Sequence, residues 1–145
     1  MRFVDTIRGY VIRMEPGEEL LSSLASFVEK MRIPSGYFQG IGGVTDVELG
    51  YFDLKKNDYD RHSYSGEYEL ISASGNISDV DGKPFVHTHG VFSDEKCQTF
   101  SGHLFKATVT ITVEIFLFPL DIVLMRKPHE TINFQQLDLP HHFVR

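Results

Sequence analysis

The segment Ala107–Phe118, ATVTITVEIFLF, alternates without interruption: Val109, Ile111, Val113, Ile115 and Leu117 fall on one face of an extended chain, and Thr108, Thr110, Thr112, Glu114 and Phe116 on the other. A two-residue period belongs to a β-strand, so the chain must build a sheet. One face of that sheet seeks a core, and the other is polar enough to meet water or a partner. Further strands are predicted in FVDTIRGYVIRM, SGYFQGIGG, VELGYFDL, EYELISASGNI, KPFVHTH and QTFSGHLF, separated by turn chemistry such as KKND and DVDG. The connections are short, whereas parallel pairs need long crossovers, so the pairing is expected to be antiparallel.

One helix interrupts the pattern. In PGEELLSSLASFVEKMR, residues 16–32, Leu20, Leu21, Leu24, Phe27, Val28 and Met31 recur at helical spacing. Glu18 and Glu19 are expected in its first turn and Lys30 and Arg32 in its last, matching the helix dipole, and Pro34 stops it. The fold class that follows is α+β: a mainly antiparallel sheet of about seven strands with one principal helix packed on it. At 145 residues the chain can bury its own core as a single domain over 1–145, without a disulfide or metal to hold it.

Charge and cysteine content narrow the function. A formal charge of −6 repels phosphate backbones, and no basic run offsets it, so DNA is a disfavoured partner. Neither a signal-like apolar stretch at the N-terminus nor a run long enough to cross a bilayer is present, which points away from a membrane. The single cysteine, Cys97, fits a reducing cytoplasm and is expected to be a small buried or edge residue.

Three of the seven histidines crowd into FVHTHGVFSDEKCQTFSGHL. His87 and His89 are two apart on a strand and share a face. SDEK reads as a hairpin turn; if it centres near Glu95, His103 lands opposite His87 and the three rings converge. A slip of one residue would throw His103 to the other face. Three neutral imidazoles suit zinc first, with nickel, iron or copper as alternatives, and leave a fourth position open. Protons compete for the same lone pairs, so retention is expected to fall between about pH 7 and 5. The alternative is three strand histidines satisfied by hydrogen bonds.

HTHGVFSDEKCQTFSGHLF, with GYFQGIGGVTDVELGYFD upstream and PHETINFQQLDL near the end, resembles the plants and prokaryotes conserved (PPC) domain in its prokaryotic single-domain form. Ser101 stands where the family pattern has the first glycine of G-G-H-L, while Gly102, His103 and Leu104 match. The resemblance implies an antiparallel sheet with a helix against it, a homotrimer, and a histidine cluster like a metal site at His87, His89 and His103. In plants the domain follows an AT-hook, a source of DNA-binding labels for its relatives; this sequence has no such element.

Other candidates are weaker. Gly40, Gly42 and Gly43 lack phosphate-loop spacing and read as a bend or a close backbone approach. Asp46, Glu48 or Asp53 could add a carboxylate ligand or base, though acids on a strand are more often a solvated face. Tyr51 and Phe52 could line a pocket, while His62, His129, His141 and His142 take no role. No catalytic residue is assigned. The readings are therefore a trimeric metal protein with a small-molecule or protein partner, a regulatory or scaffold domain acting through its trimer surfaces, and a DNA-binding protein.

Overall fold

The structure, a computed structural model, describes residues 1–140. The elements are β1 (Arg2–Thr6), β2 (Gly9–Met14), α1 (Leu20–Met31), β3 (Ser35–Asp53), β4 (Asp58–Tyr64), β5 (Tyr68–Val80), β6 (Lys83–Ser93), β7 (Thr99–Leu120), β8 (Arg126–Pro128) and β9 (Gln135–Leu137). The first seven strands form one antiparallel sheet, ordered β1-β2-β7-β6-β5-β3-β4, in which β7 also pairs with β3. That extra pairing closes β7, β6, β5 and β3 into a ring and removes their free edges. The architecture is α+β and mainly sheet, as the alternation required.

Strand boundaries differ from expectation for local reasons. SGYFQGIGG and VELGYFDL are one strand, β3, because the irregularities at Gly40/Gly42, Gly42/Val44 and Thr45/Glu48 are bulges that do not end the pairing. FVDTIRGYVIRM divides into β1 and β2 at a turn where Thr6 Oγ1 accepts the Arg8 N–H. Strand β4 was not foreseen: DYDRHSY is mostly exposed on both faces and carries no apolar alternation. Ile111, expected in the core, is 74% exposed. Between Gly42↔Val113 and Val44↔Val109 only Gly43 stands against Thr110, Ile111 and Thr112, and the bulge turns Ile111 outward.

The helix also starts later than its composition suggests. Glu19 is its N-cap, accepting the Leu21 and Ser22 N–H groups at 3.2 and 2.7 Å, so neither Glu18 nor Glu19 lies in the first turn. Arg32 ends it in the left-handed region at φ 54°, outside the last turn. Leu20, Leu24, Phe27 and Val28 are buried with Ile12, Phe38, Ile77, Phe92, Leu104 and Ile115 in one core. At about 25 cal/mol per Å² of apolar surface, such a stripe supplies most of the drive for docking. No helix among the described residues is long and apolar enough to cross a membrane.

Candidate metal centre

In β6 Thr88, Gly90 and Phe92 are buried, so the alternate residues Phe85, His87, His89 and Val91 share the outer face. The hairpin to β7 pairs His89, not His87, with His103. Its centre is Lys96, one residue past the expected Glu95, because Asp94 organises the turn. The Asp94 Oδ1 accepts the Lys96 and Gln98 N–H groups at 2.9 Å each, its N–H donates to Gln98 O, and Cys97 takes a left-handed φ of 59°. Moving the centre by one residue shifts the pairing by two, which keeps His103 on the face it needed. Cys97 is exposed in this turn, against the expectation that it would be buried or at an edge.

The three rings converge. Their centroids are 5.3 Å apart for His87–His89, 5.1 Å for His87–His103 and 5.4 Å for His89–His103. One nitrogen from each lies within 4.8 Å of the others. On the other side of His103 runs β3, with Gly50 directly opposite. A Cβ at Gly50 would meet Phe105 Cε2 at 2.5 Å and Tyr59 Cδ1 at 3.0 Å, so glycine is what lets those two rings close over the imidazole.

Burial keeps two of the donors, His87 and His103, neutral. Burial, then the Arg126 guanidinium and the His89 ring, push His87 down to about 4. Burial, then His87 and His89, with smaller contributions from Arg61 and Arg126, push His103 down to about 4 as well. The lone pairs of both rings are therefore free of protons at neutral pH. Among the described residues His103 Nδ1 is buried without a hydrogen-bond partner, as a nitrogen that serves as a ligand atom would be. Three imidazoles at this spacing fit a borderline divalent ion, with His89 on the exposed side.

The remaining candidates lie apart from the cluster. Glu48 pairs with Arg61 at 3.1 Å, Asp53 accepts the Lys55 and Lys56 N–H groups, and Asp46 is exposed. Tyr51 is exposed, while Phe52 packs on Tyr59 and Phe134. Gly42 is a close backbone approach: a Cβ there would sit 2.1 Å from Thr112 O. His62 and His129 are not in the cluster, and His141 and His142 lie outside the described residues. The sequence reading missed Arg126, whose guanidinium reaches His87 Nδ1 at 3.2 Å, together with Asn76, Tyr59 and Phe134. Phe85 and Phe105 were within reach of it, since each is two residues from a site histidine and so shares its strand face.

The profile of the Plants and Prokaryotes Conserved (PCC) domain matches residues 1–121. The chain belongs to this family. Among solved structures, this PPC-domain protein resembles a plant- and prokaryote-conserved protein of Pyrococcus horikoshii, at 35% identity over 95% of this chain and 97% of that one, TM-score 0.81. It also resembles a metal-containing protein of Archaeoglobus fulgidus, at 28% identity over 96% and 100% of the two chains, TM-score 0.85. A Ralstonia eutropha JMP134 protein, provisionally named as DNA-binding, matches at 29% identity over 95% and 96%, TM-score 0.89. Over 137 residues the chain is 26% identical to the bifunctional protein GlmU of Synechococcus sp. (strain JA-3-3Ab), covering 92% of this chain and 21% of that protein. It therefore spans about a fifth of that relative's length.

Proposed function

We propose that this PPC-domain protein holds a divalent metal ion, zinc before nickel, iron or copper, on His87, His89 and His103. The observation that carries the reading is the approach of one nitrogen from each ring to within 4.8 Å. The name of the Archaeoglobus relative, a metal-containing protein, supports it. A bound ion with an open position would supply Lewis acidity or a water of lowered pKa. Among the described residues no carboxylate belongs to the cluster to act as a base, so the reading stops at metal and ligand binding without a named reaction. Elemental analysis of protein purified without a nickel resin should find about one ion per three-histidine site. A fully folded sample with no metal, which also takes up none from added zinc, refutes the assignment.

The protein is further proposed to be a homotrimer. Tyr37 and Ile41 of β3, with Phe116 and Phe118 of β7, are 47%, 54%, 51% and 43% exposed and run side by side on the outer face. Apolar strips of this kind are commonly covered by a partner. Light scattering at micromolar concentration should give three times the 16.6 kDa chain mass. A stable monomer mass overturns the proposal.

Duplex DNA is not proposed as a partner, despite the name of the Ralstonia relative. Nonspecific affinity requires cations that neutralise phosphates, and the formal charge here is −6. Fluorescence anisotropy at physiological salt should show no binding to labelled duplexes; a sequence-specific nanomolar complex contradicts this reading.

A further inference from the structure

Arg126 is only 9% exposed, yet none of the ion pairs among the described residues gives it a carboxylate. Its partners are neutral. Nε donates to Ser78 Oγ at 2.7 Å and Nη1 to Gln135 O at 2.7 Å, which ties β9 down over β5. Nη2 donates to Asn76 Oδ1 at 2.8 Å and lies 3.2 Å from His87 Nδ1. A guanidinium has no acceptor, so His87 Nδ1 must accept that bond and the proton of the neutral ring sits on Nε2.

This contact cannot coexist with metal ligation by a neutral His87. An ion at Nδ1 takes the lone pair that Arg126 occupies. An ion at Nε2 drives the ring proton to Nδ1, where it faces an N–H group that cannot accept it. Either way Nη2 loses a partner, and an already uncompensated buried cation is left with an unspent donor. A buried charge in that condition is costly unless an anion meets it.

The place for an anion is the cleft of about 190 Å³ beside the cluster. Phe85, Phe105, Phe134 and Tyr59 wall it; Arg126 is its one cation, and His87, His103, Asn133 and Gln135 complete the lining. The Arg126 guanidinium carbon is 4.8 Å from the centre of the Phe85 ring. The other nearby guanidinium, Arg61, is held by Glu48 and lies over Phe105. One available buried cation between aromatic walls suits a single negative charge on a short apolar body better than a phosphate dianion.

We propose that this cleft binds a small monocarboxylate, with Arg126 as its counter-ion, and that metal loading enables binding by withdrawing His87 from Arg126. The inference rests on the metal reading above and extends it to ligand class and order of binding. Arg126 and Phe134 of the cleft lining lie beyond the stretch 1–121 that the family profile matches.

Calorimetric titration tests it in two stages. Zinc is first titrated into metal-free wild type and Arg126→Met; absence of uptake by wild type refutes the metal reading and this inference together. Propanoate is then titrated into the zinc-loaded and metal-free forms. A charged hydrogen bond is worth roughly tenfold or more in affinity, so propanoate should bind zinc-loaded wild type at least about tenfold more tightly than either the metal-free protein or zinc-loaded Arg126→Met. The variant should bind zinc at least as tightly as wild type, since its competitor for His87 is gone. With zinc uptake intact, equal propanoate affinity in all forms overturns the inference alone, and inorganic phosphate binding as tightly as propanoate overturns the carboxylate class. Should Arg126→Met not fold, long-range ¹H–¹⁵N spectra of the wild-type imidazoles decide. Metal-free His87 should carry its proton on Nε2 and change on adding zinc; an Nδ1–H tautomer in the metal-free protein refutes the mechanism.

Discussion

Replacing His87 and His89 together by alanine is expected to lower zinc affinity by more than about a hundredfold at pH 7, because loss of even an outer-shell partner costs roughly 10–100-fold. The far-UV spectrum should barely change, since the site lies on the outer face and the core is built from other residues. Full metal retention by the double variant would place the ligands elsewhere. The pH dependence follows from the same rings. An unperturbed imidazole, near 6.5, would begin to lose its metal to protons just below neutrality. With His87 and His103 held near 4, both stay mostly unprotonated between pH 7 and 5. Wild type should therefore retain its ion through about pH 5.5 and release it toward pH 4, lower than the sequence alone suggests. Release of half the zinc above pH 6 contradicts this. Stability carries the opposite face of the linkage. Both folded-state values are depressed below the unfolded value, so the contribution is complete above about pH 6.5 and is lost as pH falls toward 4. The thermal midpoint of the metal-free protein should be flat above pH 6.5 and fall below it, more steeply than in the double variant, which lacks one of the two depressed rings.

How far that site could be read from the sequence depended on the range of the signal. His87 and His89 are fixed to one face by local geometry, and the turn chemistry of SDEKC brings His103 near them. The register was placed two residues off because Asp94 and the left-handed Cys97 make a loop that sequence spacing did not reveal. The error was harmless because a two-residue shift preserves the face. Arg126 could not be found in this way. It reaches His87 across 39 residues of chain, from a three-residue strand too short to show a period. The bulge that expels Ile111 was equally hidden, since alternation in β7 says nothing of how many residues β3 sets against it. Strand β4 escaped because an exposed edge strand needs no apolar face.

Gly75→Ala, in β5, is expected to damage fold and site together. Gly75 pairs with Phe38 of β3 on one side and with Thr88 of β6 on the other. A Cβ at this position would fall 2.0 Å from His87 O, 3.0 Å from His87 C and 3.0 Å from Phe38 Cε1. Two of these three atoms are backbone, so rotating a side chain cannot relieve the collision. The strands must separate or β6 must tilt. Overpacking costs roughly 1–3 kcal/mol and sometimes more, and the upper end applies where a ladder between two inner strands is forced open. In a domain of this size about 3 kcal/mol corresponds to a fall of roughly 6–12 °C in Tm. The displaced carbonyl belongs to His87, so the same change should swing that imidazole away from His103 and weaken zinc binding. Gly82→Ala is the control. Gly82, unlike Gly75, lies at a φ, +79°, that disfavours alanine, but no atom of the described residues beyond its chain neighbours lies within 4 Å of its would-be Cβ. It should lower Tm by only a few degrees, the effect of about 1 kcal/mol of backbone strain, and leave zinc affinity unchanged. If Gly75→Ala melts within 2 °C of wild type, β5 and β6 are not held as closely as this geometry requires. If it melts lower but binds zinc as wild type does, the orientation of His87 is set by Arg126 and the ring's own neighbours, independently of strand spacing.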